Sequence, residues 1–468
     1  MNVVYIVIDT LRADHLGCYG YKRDTSPNMD KLASEGVLFE YAFPSDVPTQ
    51  PSYTAMFTGL RGIHTGVVSH SYYENLEEDT PVFPELLAQN GVTTASVSTL
   101  YTMRRWFARG FLYSMDPAAG NRRKLQQVDA EEINAYAVPW IEDHRDEPFF
   151  LFLHYWDPHG LYKPPEQYRG MFYTGDPYDP ENHSLDYLKS HPVWSFTKNQ
   201  IDAIGENITD LEYVVSQYDA EIRYVDDQVQ VIFDTLEKQG LSDDTLIILT
   251  SDHGESMGEH HFYFDHFEVY DTTIHVPLIM KHPKLLPKGK RVHELIQSTI
   301  SIAPTILNQY GIKPPANMKG IDLVRIANGA EDGYSEIISN QGLWTAKRAI
   351  RTKKWKLIKT THKAFWDTPP RELYKIDEDP DETVNLAETH PEVVDMLELR
   401  LSRFLEAELE GKVDPLDLAV SRGLPVYEWV EMVAKRTGML DVYEEWRSRV
   451  DRGESSNIRK GPIRPPSY

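Results

Sequence analysis

Only one cysteine, Cys18, occurs in 468 residues, which excludes an intrachain disulfide framework. No apolar run approaches the roughly 20 residues needed to cross a bilayer, so no membrane helix is expected. Positive charge is scarce: 48 Lys and Arg stand against 72 Asp and Glu, a formal net charge of −24. That field repels nucleic acid and anionic membranes at long range, so neither is expected as a partner. An anionic substrate then needs a local positive centre, and a bound metal ion is the simplest. The apolar run Asn2–Ile8 follows Met1 directly, so no cleavable signal segment is expected and a cytoplasmic enzyme is the plain expectation. What is present is ordinary for a soluble protein: 41% hydrophobic residues, in a chain long enough for one large α/β domain and a smaller companion.

Val3-Val4-Tyr5-Ile6-Val7-Ile8 is apolar throughout, as in a parallel strand covered on both faces, and it ends in Asp9-Thr10. Ligand sites of open α/β sheets lie at such carboxyl ends. Further buried strands are expected at Thr93–Ser98, Phe149–His154, Leu246–Ser251 and Val276–Met280. Ser26-Pro27 reads as the N-cap and first residue of a short helix ending at Gly36. Asp210–Gln239 reads as one long helix, with Tyr218, Ile222, Val225, Val229, Ile232 and Leu236 on one face. Alternating strands and helices imply a doubly wound, mostly parallel sheet. Residues 165–208 lack a clear period and read as an insertion over the site. Beyond about residue 330, Ala346–Ile350, Lys356–Lys359 and Glu372-Leu373-Tyr374 suggest short antiparallel strands, followed by a helix from Pro391 to about Leu409. The expected division is a catalytic α/β domain over 1–330, an α+β subdomain over 331–412, and a helical tail over 413–468 that offers an oligomer contact.

The strongest chemical signal is Thr250-Ser251-Asp252-His253-Gly254-Glu255 at the end of an apolar run. A carboxylate beside an imidazole at a strand end binds a divalent cation, and Asp9 ends the first strand in the same way. On their own Asp252 and His253 would more often cap a turn; Asp9 and the next segment shift that balance. In Pro48-Thr49-Gln50-Pro51-Ser52, Pro51 fits a first helical position and Gly59 a terminator. Thr49 then lies at or just before a helix N-terminus, where unpaired N–H groups favour anions. A hydroxyl beside a metal there loses its proton more readily and becomes a nucleophile. The bland alternative is an ordinary threonine N-cap.

Asp9–Asp14 with Cys18-Tyr19-Gly20, Ser26–Leu32, Thr49–Gly59, Ser251–Glu255, Tyr270-Asp271 with Val276-Pro277-Leu278, Arg348–Arg351, and Glu372–Tyr374 leading to Asp379-Pro380 follow one another in a familiar order. As a set they resemble the sulfatase family of the alkaline phosphatase superfamily, over residues 1 to about 410. The resemblance implies a large α/β domain and a smaller C-terminal subdomain with a four-stranded antiparallel sheet. It also implies a metal site at Asp9, Thr49, Asp252 and His253. His159, in Trp156-Asp157-Pro158-His159, aligns with a family Pro-His element and is expected to donate to a nonbridging oxygen or protonate the leaving group. His154, at the strand end, is expected to be structural or to support the site from behind, and His260 and His261 are weaker candidates. Asp157 is considered for a second metal set, but no full set is readable and one ion (Mn, Mg, Ca or Zn) is expected.

The departures from the family pattern carry as much information. Thr49 stands where a sulfatase has the cysteine that becomes formylglycine, and Tyr53 stands where it has arginine. Thr10 replaces a metal-binding aspartate, Met103–Phe107 lacks the lysine-x-histidine element, and His266 falls where lysine is usual. Threonine nucleophiles recur elsewhere in the superfamily, among phosphodiesterases and phosphoglycerol or phosphoethanolamine transferases, while the similar phosphonate monoester hydrolases keep the cysteine. The expected activity is hydrolysis of a small anionic ester, a phosphate diester or phosphonate monoester, by attack of Thr49 with His159 and His266 handling charge and protons. The alternatives are a sulfatase and a catalytically silent, metal-stabilised binding protein.

Overall fold

The computed structural model describes residues 1–71, 73–119, 127–191, 193–266 and 268–452. Its large sheet has eight strands, in spatial order Lys290–Gln297, Val37–Phe43, Leu278–Lys281, Thr245–Thr250, Asn2–Ile8, Phe149–Tyr155, Thr93–Val97 and Tyr113–Met115. Leu278–Lys281 alone runs against its neighbours; the remaining pairings are parallel. Asn2–Ile8 lies inside the sheet, and its Val and Ile side chains are wholly buried, as its unbroken apolar run requires. Register pairs Val7 with both His154 and Thr250, so Asp9, Tyr155 and Ser251–His253 emerge together at one edge.

Two helical groups flank this sheet. Leu211–Lys238 packs with Pro27–Glu35 and Ala130–Asp143, and Thr49–Thr58 packs with Ser298–Gln309 and Phe83–Gln89. The long helix buries Tyr218, Ile222, Val225, Val229, Ile232 and Leu236, each contributing about 1.5–3 kcal/mol of burial. Asp210 caps its first turn by accepting from the Glu212 N–H at 2.8 Å, and Gly240 follows its end at a φ of 71°.

Several expectations need correction. Pro48 is the N-cap and Thr49 the first residue of its helix, so Pro51 sits in the third position rather than the first. Ser26 holds the N-cap position, yet its hydroxyl accepts from the Gly17 N–H and donates to Asp30; Asp226 of the long helix accepts from the Asn28 and Met29 N–H groups instead. The insertion contains two helices, Asp186–Ser190 and Trp194–Ile204. The small sheet has five strands rather than four. Arg371–Lys375, Trp355–His362, Ala346–Arg351 and Ile337–Gln341 are antiparallel, and Asp46–Val47 adds in parallel at the edge. That edge directly precedes the Thr49 helix, so the small sheet helps place the nucleophile candidate. Pro391–Leu409 is helical as expected, and the tail continues as Pro415–Arg422, Pro425–Thr437 and Leu440–Asp451. The Pro-rich end, Gly461 to Tyr468, lies outside the described residues.

Candidate active site

Asp9, Asp252 and His253 meet at the strand ends, each fully buried, with their ligand atoms within 4.8 Å of one another. The turn after Asp9 is forced: Thr10 adopts a φ of 58°, a costly conformation for a β-branched residue. Three bonds hold it there. Thr10 N–H donates to Asp252 Oδ1 at 3.2 Å, Leu11 N–H donates to Ser251 Oγ at 2.9 Å, and the Tyr218 hydroxyl donates to the Thr10 carbonyl at 2.8 Å.

These groups are oriented as cation ligands. His253 Nδ1–H donates to the Gly254 carbonyl at 3.0 Å, which leaves Nε2 as a bare lone pair. Nε2 lies 3.1 Å from Asp252 Oδ2, and that oxygen has no hydrogen-bond partner. Asp252 Oδ1 is satisfied by the Thr10 and His253 N–H groups. Asp9 Oδ1 is likewise unpartnered, while Oδ2 meets His154 Nε2 at 3.3 Å, the supporting role expected of that histidine. Two unpartnered, buried carboxylate oxygens beside an unprotonated imidazole nitrogen cost several kcal/mol without a cation, so the residues fit a divalent ion. Burial pushes the Asp252 carboxyl up to about 7; burial and the charges of Asp252 and Glu255 push Asp9 well above its ordinary range.

Thr49 joins this cluster. Its Oγ1 lies 3.1 Å from His253 Nε2, at the start of a helix whose ten residues are all buried. The Ser52 hydroxyl donates to the Asp252 carbonyl at 2.9 Å and ties that helix to the metal-site strand. The His266 ring lies 4.2 Å from that of His253 and 5.8 Å from that of His159. Burial holds all the nearby imidazoles neutral: His253 and His159 fall to about 4, His154 and His70 to about 3, and His266 well below its usual value. His159 Nδ1–H donates to the Gly160 carbonyl at 3.0 Å, which leaves Nε2 as its unprotonated ring nitrogen.

Thr49, His159 and His266 line one cavity of about 360 Å³. Its other walls come from Phe196, Asn199 and Gln200 of the insertion, Trp344, and Trp429, Val433, Arg436 and Thr437 of the tail. Asp157 is not part of this centre: its carboxyl lies against Glu221, where burial raises both. His260 and His261 line a separate hollow, with His260 stacked on Tyr270 at 3.7 Å. Glu255, Asp265, His70 and the tail residues were not foreseen. Glu255 stood inside the Asp-His-Gly segment and Asp265 beside His266, adjacency being their only signal; nothing in the sequence marked His70 or Arg436.

A family model described as Sulfatase matches residues 1–312, and one described as N-sulphoglucosamine sulphohydrolase, C-terminal, matches residues 258–407. A Delta 4,5-hexuronate-2-O-sulfatase of Bacteroides thetaiotaomicron is 24% identical over 418 residues, covering 82% of this chain and 84% of that protein. Arylsulfatase K of Mus musculus is 27% identical over 444 residues, covering 86% and 78%. Among solved structures, the phosphonate monoester hydrolase of Agrobacterium radiobacter superposes with a TM-score of 0.70 at 22% identity, covering 87% of this chain and 96% of that one. These likenesses establish an alkaline-phosphatase/sulfatase-like fold.

Proposed function

Because the chain belongs to the sulfatase family, and so to the ester hydrolases of the alkaline phosphatase superfamily, we propose that it cleaves phosphate diesters or phosphonate monoesters with Thr49 as nucleophile. The observation that carries this reading is the Thr49 hydroxyl, 3.1 Å from His253 Nε2 beside the Asp9–Asp252 pair. A divalent cation held by Asp9, Asp252 and His253 would supply the positive centre that acidifies a neighbouring hydroxyl and neutralises the anionic ester. Thr49 Oγ attacks phosphorus in line, forming a P–O bond as the bond to the leaving oxygen breaks. His159 and His266, both neutral, line the same cavity, and in this reading they take up the hydroxyl proton and pass one to the leaving oxygen. Water then cleaves the phosphothreonine and restores the hydroxyl. Threonine cannot form an aldehyde hydrate, which favours phosphorus chemistry. Among the described lining residues Arg436 is the sole Arg or Lys, which favours monoanionic esters over dianionic monoesters.

Sulfate ester hydrolysis is the second reading, supported by the sulfatase names of the relatives above. A substrate panel separates the two. Bis-aryl phosphate or aryl phosphonate turnover is expected to exceed aryl sulfate turnover in kcat/KM, and mass spectrometry of quenched enzyme is expected to find a phosphoryl adduct on the Thr49 peptide. The reverse substrate order assigns the chain to the sulfatases.

A further inference from the structure

We infer that Glu255, Asp265 and His266 hold a second divalent cation beside the first. Their ligand atoms lie within 4.8 Å of one another, and the three residues are 1%, 7% and 6% exposed. His266 Nδ1 is 3.1 Å from Asp265 Oδ1 and 3.7 Å from Glu255 Oε1. Neither His266 Nδ1 nor Glu255 Oε1 has a hydrogen-bond partner. Both are buried, within 3.7 Å of each other.

The simplest competitor is a carboxylate–histidine pair in which Asp265 orients the His266 ring. The geometry disfavours it. Asp265 Oδ1 already accepts the His266 backbone N–H at 2.8 Å, and the Nδ1 contact does not have hydrogen-bond alignment. A buried ring nitrogen and carboxylate oxygens that crowd together without bonding one another are what a cation site presents.

Charge balance points the same way. Asp9, Asp252, Glu255 and Asp265 are four buried carboxylates in adjoining clusters, and among the described residues none of them pairs with Lys or Arg. The Arg12 guanidinium, whose charge acts on Glu255, is committed to Asp14, Glu259 and the Glu255 backbone carbonyl. One divalent ion offsets two carboxylates; two ions offset all four. Two carboxylates and one imidazole suit Mn or Zn and leave positions open. With Nδ1 on the cation, His266 Nε2 must carry the proton, which makes it a donor on a residue that lines the cavity.

The inference is independent of substrate class, because its readout is metal content. Full-length protein stripped with EDTA, reloaded with MnCl2 and desalted is expected to retain two Mn per chain by elemental analysis. Glu255→Gln and Asp265→Asn are each expected to retain one. Crystals of the unmodified protein soaked in MnCl2 are expected to show two anomalous peaks, one flanked by Glu255, Asp265 and His266; this holds even where a variant fails to fold. One Mn per chain in the unmodified protein, with a single anomalous peak at Asp9, Asp252 and His253, overturns the second site.

Discussion

The site has two sides of opposite character: the buried cluster that Thr49 joins at the back of the cavity, and the tail helix that lines it. On one side Asp9, Thr49, Asp252 and His253 are no more than 2% exposed, each set at a strand end or helix start and held by several buried bonds. On the other, Trp429 and Val433 are half-buried and Arg436 and Thr437 exposed, on a helix anchored through Val426, Tyr427, Val430 and Ala434. The first side is acidic and lies within the residues the family models match; the second offers a cation and lies past residue 407, where those matches end. Reacting groups need positions fixed to fractions of an ångström, which takes an over-determined core. Groups that meet the variable part of a substrate tolerate a lightly anchored helix.

The comparison is tested hardest at Thr49. Thr49→Ala is expected to lower kcat by about 10³ or more, roughly 4 kcal/mol, with folding stability changed by about 1 kcal/mol. Steady-state kinetics beside urea unfolding checks this; near-normal kcat would reduce Thr49 to a helix residue or metal ligand and leave that side without a nucleophile.

Next comes the scaffold behind that side. Asp219 accepts from Tyr21 and Arg23, at 2.7 and 2.6 Å, and pairs with His15 at 2.6 Å, clamping the chain that follows Asp9 to the long helix. Burial alone would raise its carboxyl, but His15 and Arg23 outweigh burial and hold it below the ordinary value. A depressed folded pKa stabilises above the unfolded value of about 3.9 and is lost as pH falls through the folded one. Asp219→Asn is therefore expected to cost about 3 kcal/mol at pH 7, with the gap closing below about pH 4. Urea midpoints at pH 7 and pH 3 measure it, and a gap independent of pH contradicts the clamp.

The smallest effect belongs to the tail wall. Arg436→Ala is expected to raise KM for a diester about fivefold, near 1 kcal/mol, while kcat changes less than twofold. An equal loss in kcat would put Arg436 at the reacting centre and erase the division between the two sides.

How much was legible follows the same line. Apolar runs ending in Asp9 and Asp252-His253 announced strands and candidate ligands together, because parallel strands bury both faces and their carboxyl ends converge. The start of the Thr49 helix was misplaced, since Pro51 suits several first-turn positions and the deciding contact, from Ser52 to the Asp252 carbonyl, spans 200 residues. The edge strand Asp46–Val47 is two residues long, too short for any period to show. Asp157 was considered for a second metal set, but the chain turns after Tyr155 and its carboxyl ends against Glu221 of the long helix, a contact no local pattern announces.

By itself the sequence determined the family, the strand order of chemistry along the chain, and the loss of cysteine and arginine at positions 49 and 53, because each is written in local residue type and spacing. Tertiary structure alone decided that Glu255 and Asp265 converge on His266, that His253 presents a bare Nε2 to Thr49, and that the tail returns to wall the cavity with Arg436. These are contacts between side chains far apart in sequence or across a strained turn, fixed by packing and by pairing buried polar groups, and no local pattern encodes them.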